Sequence, residues 1–151
     1  MTFLNTLVDL NASGVGFGEV AHTLSRVALG LFFAISGQFK LRDATNLLAT
    51  FKDDHIPFPN VMRWFVPSVE LMAGLALIVG LLTPLAALGL MSLCLVATFT
   101  DGIKRYQDSD VLSWIDDFLW LPDVLYCIMC GYLITTGAGP WSVDALLAAM
   151  I

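Results

Sequence analysis

Long apolar runs alternate with short polar ones along the chain. Crossing a bilayer takes about 20 mostly apolar residues, with a range of roughly 17 to 25. Four runs fit, at about residues 21–41, 61–82, 85–100 and 118–136. The third is short, so it must stand nearly upright or have polar ends. Only "LLTPLAA" separates it from the second. Pro84 suits the first turn of a new helix, where its missing N–H has no intrahelical partner to lose. The second and third spans are expected to form an antiparallel hairpin.

The polar segments give the rest of the plan. "RDATNLLATFKDDHIPFPN", residues 42–60, is too polar to span. Leu47, Leu48 and Phe51 fit one apolar face of a short helix on the membrane surface, broken by Pro57 and Pro59 before the second span. The acidic loop "DGIKRYQDSDVLSWIDD" joins the third and fourth spans. The glycines and proline of "TTGAGPWSVDALLAAMI" then end the fourth. Ser142 can cap a last helix too short to cross, with Asp144 near its positive end. The pattern predicts an all-α fold. It is an integral membrane four-helix bundle in one domain over residues 1–151, with a short surface helix between the first two spans and a short C-terminal helix. No internal repeat or low-complexity segment is apparent.

Composition agrees. Of 151 residues 58% are hydrophobic and 13% charged, and the mean hydropathy is +0.80. Soluble domains carry about 25% charged residues. The net charge of −6 provides no basic patch for phosphates and argues against nucleic acid. No Lys or Arg precedes Arg26, so a secretory signal is unconvincing and the first run is expected to be retained. Orientation follows from Lys and Arg near span ends. Lys40, Arg42, Lys52 and Arg63 flank one connection, and Lys104 and Arg105 lie in another on the same side. That side is placed in the cytoplasm, with both termini outside. Trp64, Trp114, Trp120 and Trp141 fall near span ends, as an aromatic belt requires.

One carboxylate stands where charge is expensive. Glu70 lies about ten residues into the second span, near mid-bilayer at ~1.5 Å per residue. Insertion scales price such a group at about 2.5 to 3.5 kcal/mol, so a partner is expected. In the first span, "RVALGLFFAISGQFK", residues Arg26, Gly30, Phe33, Gly37 and Lys40 are spaced to share one face. Arg26 and Lys40 are roughly 21 Å apart along the axis. Gly30 and Gly37 permit close helix approach, and Glu70 and Gly74 share a face of the second span. Packing these faces sets Glu70 between the two cations. Arg26 is the nearer partner by this count and Lys40 the second, with Gln38 and Ser36 as added hydrogen-bonding groups. The pair then serves either as a lock between helices or as a polar binding and proton-handling site. Lys40 alternatively snorkels to the interface.

Other chemistry is sparse. Asp123 follows Pro122 near the start of the fourth span, either solvated or as a proton entry. His22 precedes the first span and His55 sits in the surface loop, so neither has a metal-ligand spacing and no metal site is expected. Cys127 and Cys130 spell "CIMC" inside the fourth span. A redox pair of that spacing opens a helix beside a sheet, so packing is the main reading and a redox pair the lesser one. Phosphate loops, nucleophile elbows and dinucleotide fingerprints are missing.

The quoted stretches resemble the DoxX family of small four-helix bacterial membrane proteins. "RVALGLFFAISGQFKL" looks like its opening block, "IPFP" with "VELMAGLALIVGLLTPLAAL" its second, and "GAGPWSVDALL" its C-terminal signature. The family is similar to the membrane subunit of thiosulfate:quinone oxidoreductase, and some members work with oxidative-stress or sulfur-transfer proteins. The resemblance implies a bacterial inner-membrane location and a membrane subunit of a redox complex. Quinone would be handled between the first two spans by Arg26 and Glu70. The chain itself is expected to bind no cofactor, its electrons coming from partner oxidoreductase subunits. The alternative is a non-catalytic accessory or assembly subunit; a small transporter ranks last because no broken helix pair is visible.

Overall fold

A computed structural model describes residues 17–102 and 121–150. Lys104, Arg105, Trp114, Trp120, most of the acidic loop and residues 118–120 lie outside the described residues. The described elements are all helical. They are α1 (Phe17–Arg42), α2 (Ala44–Asp53), α3 (Pro59–Val79), α4 (Thr83–Ala97), a π turn continuing α4 (Thr98–Gly102), α5 (Pro122–Thr136) and α6 (Val143–Met150). Pro59, Pro84 and Pro122 stand within the first two positions of α3, α4 and α5, where a proline breaks no helical hydrogen bond.

Three helices are long and apolar enough to cross a membrane: Phe17–Arg42, Pro59–Val79 and Thr83–Thr100. The described part of the fourth expected span, α5, is apolar but shorter, at 15 residues. Large apolar side chains also cover the outside. Leu31 and Ile35 of α1, Met72 and Leu75 of α3, and Leu85 and Leu88 of α4 are all exposed. A soluble monomer rarely shows so much contiguous apolar surface, whereas hydrocarbon solvates it without cost.

The helices form two closely packed pairs, α1 with α3 and α4 with α5, and α3 also packs on α4. The α1–α3 pair is built on glycine. A Cβ on Gly30 would sit 2.7 Å from the Gly74 carbonyl oxygen, and one on Gly74 would sit 2.5 Å from the Ala34 nitrogen. A Cβ on Gly37 would lie 2.6 Å from the Pro67 carbonyl oxygen. The two helices thus touch backbone to backbone, an approach that any side chain at these positions would prevent. Leu29, Phe33, Leu77, Leu90 and Leu133 fill the core between the pairs. By contrast, α1 and α5 meet at few points. Leu47, Leu48 and Phe51 of α2 are half-buried, and α2 packs against α3.

Candidate functional site

The glycine contacts fix an antiparallel register that decides where each charge falls. Gly37 lies against Pro67 and Leu71, and Gly30 against Gly74 and Ile78. Glu70 is therefore level with Ser36 and Gly37, near the Arg42 end of α1. Arg26 stands ten residues away, about 15 Å along the axis, level with the end of α3.

Lys40, not Arg26, is the partner of Glu70. Its Nζ lies 2.6 Å from Glu70 Oε1, and the Ser36 hydroxyl donates to Glu70 Oε2 at 3.3 Å. Ser36 and Lys40 are one helical turn apart, so both face α3. Glu70 is buried, while the Lys40 side chain is 40% exposed and stands at the edge of the site. The assignment of Arg26 as the nearer cation fails because it placed the helices without their glycine register. Lys40 turns inward instead of snorkelling. Gln38 is exposed and lies outside this cluster.

The pair opens on a cavity of about 150 Å³. Phe32 and Phe33 of α1, Cys94 of α4, and Asp123 and Tyr126 of α5 contribute to its wall. Asp123, which stands in the first turn of α5, thus joins Glu70 as a second carboxylate of one cavity. At ~30 Å³ per water the space holds about five waters. It lies below the ~300–1,000 Å³ of a pocket for a drug-sized ligand. Phe33 and Phe32 also meet the Tyr126 ring, with centroids 5.5 Å and 4.5 Å away. Tyr126 and Cys94 carried no signal in the sequence. Each sits in an apolar run, and only the packing of α4 on α3, and of α5 on α4 and α1, brings them to the Glu70 cavity.

Arg26 forms a second cluster at the opposite end. It is 1% exposed and donates to the carbonyl oxygens of Leu77 at 2.5 Å, Ile78 at 3.2 Å and Trp141 at 2.7 Å. A cation on the final carbonyls of α3 also complements the negative end of that helix. Ser142 caps α6 through the Ala145 N–H. Asp144 stands in the first turn of α6, as expected, and its oxygens also accept from the Leu82 and Thr83 N–H groups at the start of α4. His22 lies inside α1, not ahead of it. It is buried and shares a 3.0 Å hydrogen bond with the Thr136 hydroxyl.

Cys130 is fully buried in the core, whereas Cys127 is half-buried with its Sγ 4.0 Å from the Met91 carbonyl oxygen. Both are free thiols, as is Cys94. His55 is exposed and far in sequence from His22. Among the described residues, no three His, Cys, Asp or Glu side chains gather as metal ligands.

Residues 21–101, more than half the chain, match the DoxX family. The chain belongs to the DoxX family. No curated protein and no solved structure matches it. The region matched to DoxX contains Arg26, Ser36, Lys40, Glu70 and the three packing glycines. Asp123, Tyr126 and the C-terminal "GAGPWSVD" lie beyond it, although they complete the two clusters.

Proposed function

We propose that this DoxX protein is a four-helix inner-membrane bundle spanned by α1, α3, α4 and α5, with both termini outside the cytoplasm. In this reading it is the membrane subunit of a redox complex, and the cavity beside Lys40 and Glu70 receives the head of a quinone. The observation that carries it is a buried carboxylate paired with a cation on the wall of a cavity of mixed lining. Intramembrane ionisable groups are costly, and they mark sites for protons or polar ligands. The Lys40 ammonium would donate a hydrogen bond to a quinone carbonyl. Glu70 would hold Lys40 in place, and Asp123 and Tyr126 would exchange protons with the head. Reduction of a quinone to a quinol takes two electrons and two protons. The protons reach the cavity from water at the Lys40 edge, and a partner oxidoreductase subunit brings the electrons.

The test is to purify the wild type, Glu70→Gln and Lys40→Met in mild detergent and identify co-purifying small molecules by mass spectrometry. Quinone with the wild type and with neither folded variant supports the site. Equal quinone with all three removes the pair from it.

The second reading is an accessory subunit that docks larger partners without touching a quinone. It draws on the way Lys40 and Glu70 close on each other and could simply lock α1 to α3. Large subunits co-purifying with all three proteins, and quinone with none, would select it.

A further inference from the structure

The cavity beside Lys40 and Glu70 is not the only space along the α1–α5 seam. A second one, of about 280 Å³, is lined by Ser25 of α1 and by Ile128, Met129, Tyr132 and Leu133 of α5. Its wall is almost wholly apolar, and Ile128 and Tyr132 are exposed at its rim. The seam itself is far looser than the α1–α3 and α4–α5 interfaces. It is pinned at two places. At one end His22 meets Tyr132 and Thr136. Toward the other end Phe32 and Phe33 meet Tyr126. The apolar groove lies between these pins. The Lys40–Glu70 cavity begins at the aromatic pin, whose rings form part of its wall.

The order along the seam is therefore a charged pair, an aromatic threshold and an apolar groove open to the membrane. That is the profile of an amphiphile with a compact polar head and a hydrocarbon tail. We infer that the groove is the exit route for the tail of the molecule whose head the cavity takes, with the Phe32–Tyr126 contact as the threshold. The inference rests on the quinone reading above and adds the tail to it. From Tyr126 to Tyr132 the route covers about 9 Å along α5. A cavity of about 150 Å³ has no room for the tail, so it must leave. Leaving through the α1–α3 face is closed by the glycine contacts. The groove is a path rather than an anchor, because a tail gains little by moving from lipid hydrocarbon to protein hydrocarbon. Blocking it should hurt only molecules that have a tail.

The test uses the full chain in lipid nanodiscs with two probes, a tail-less benzoquinone and the same ring carrying a decyl tail. Binding of each is measured to the wild type, Ser25→Leu and Ile128→Trp. Ile128 is exposed and Ser25 half-buried, and the Ser25 hydroxyl bonds within its own helix, to the Ala21 carbonyl. The substitutions therefore leave no new unpaired group. Expected is decyl-quinone binding about tenfold weaker in the filled variants, from overpacking of the route, with tail-less binding unchanged. A decyl-quinone carrying a photoreactive group on its tail should label the Ile128–Leu133 stretch of α5 in the wild type. If both variants bind both probes as the wild type does, or if the label lands on other helices, the tail route is wrong and the head site stands. If the wild type binds neither probe, the quinone reading falls and the inference with it.

Discussion

Arg26 and Asp144 hold the two sides of one turn. Arg26 donates to the Leu77 and Ile78 carbonyls just before Gly80, and Asp144 accepts from the Leu82 and Thr83 N–H groups just after it. A cation thus closes the end of α3 and an anion opens α4, each complementing the helix end it meets. Between them Gly80 has φ +72°, and a Cβ there would lie 2.5 Å from an Arg26 nitrogen. Leu82 stands at φ 47°, in the left-handed region that costs a non-glycine residue roughly 1–2 kcal/mol. The two bonds from Asp144 offset that cost.

Removing either partner should loosen the turn, and Arg26 should matter more. Arg26→Met takes the guanidinium from one buried and two partly buried carbonyls, at about 1–3 kcal/mol for each that finds no other donor; Leu77 keeps the Gly80 N–H. We expect a loss of about 2–3 kcal/mol, read as a drop in melting temperature in detergent. Asp144→Ala removes a helix-start acceptor and should cost about 1 kcal/mol. If Arg26→Met melted with the wild type, the three contacts would not be holding the fold.

Glycines offer an internal comparison. Gly30→Ala and Gly74→Ala force α1 and α3 apart, since the added carbon would meet backbone rather than a side chain that can move. We expect each to cost about 1–3 kcal/mol, as overpacking does. Gly89→Ala and Gly131→Ala place the same carbon in open space. They should be neutral or gain roughly 0.5–1 kcal/mol, alanine being the better helix former. Thermal unfolding of the four single variants checks the contrast. Equal losses at all four positions would contradict the backbone contact of α1 with α3.

Much of this arrangement was legible in the chain because it follows from local spacing. Gly30, Gly37 and Lys40 share a helical face whatever surrounds them, and Pro84 marks a helix start on its own. The partner of Glu70 was not legible. Choosing between Arg26 and Lys40 needs the offset of α1 against α3, and a shift of two turns exchanges the cations. Helix ends read from hydropathy are uncertain by about a turn on each side, so the offset is fixed only by where glycines of both helices meet. Asp123 was legible as a candidate proton entry, but its place on the Glu70 cavity, like that of Tyr126, was hidden for another reason. They share a cavity with Glu70 through the packing of α5 against the other helices, which no single-helix period encodes. Asp144 was legible as an acid in the first turn of the last helix, where it stands. Its role on α4 depends on the fold-back after Gly137.

The thiols should differ in reactivity according to burial. Cys130 is wholly buried and Cys94 nearly so, while Cys127 is half-buried on α5. A membrane-permeant maleimide should label Cys127 several times faster than the other two in the folded protein. All three should react alike once the chain is unfolded in denaturing detergent. Mass spectrometry of peptides after timed labelling reads this out. Faster labelling of Cys130 would mean that the α4–α5 interface is open.

The Lys40–Glu70 pair allows a sharper measurement, because its two halves are not equally placed. Glu70 is buried and Lys40 is partly exposed, so removing the cation strands a carboxylate while removing the carboxylate leaves an ammonium that can turn to water. Lys40→Met should therefore destabilise more than Glu70→Gln. Breaking a fully buried pair costs about 3–5 kcal/mol, and the exposure of Lys40 lowers that expectation to about 1–3 kcal/mol. The double variant, Lys40→Met with Glu70→Gln, has no stranded charge. It should recover part of the loss, giving a coupling of at least about 0.5 kcal/mol in a double-mutant cycle. Thermal unfolding of the four proteins measures it. A coupling indistinguishable from zero would mean that the 2.6 Å contact contributes nothing to the fold, and that the cost of burying Glu70 is offset by some other group.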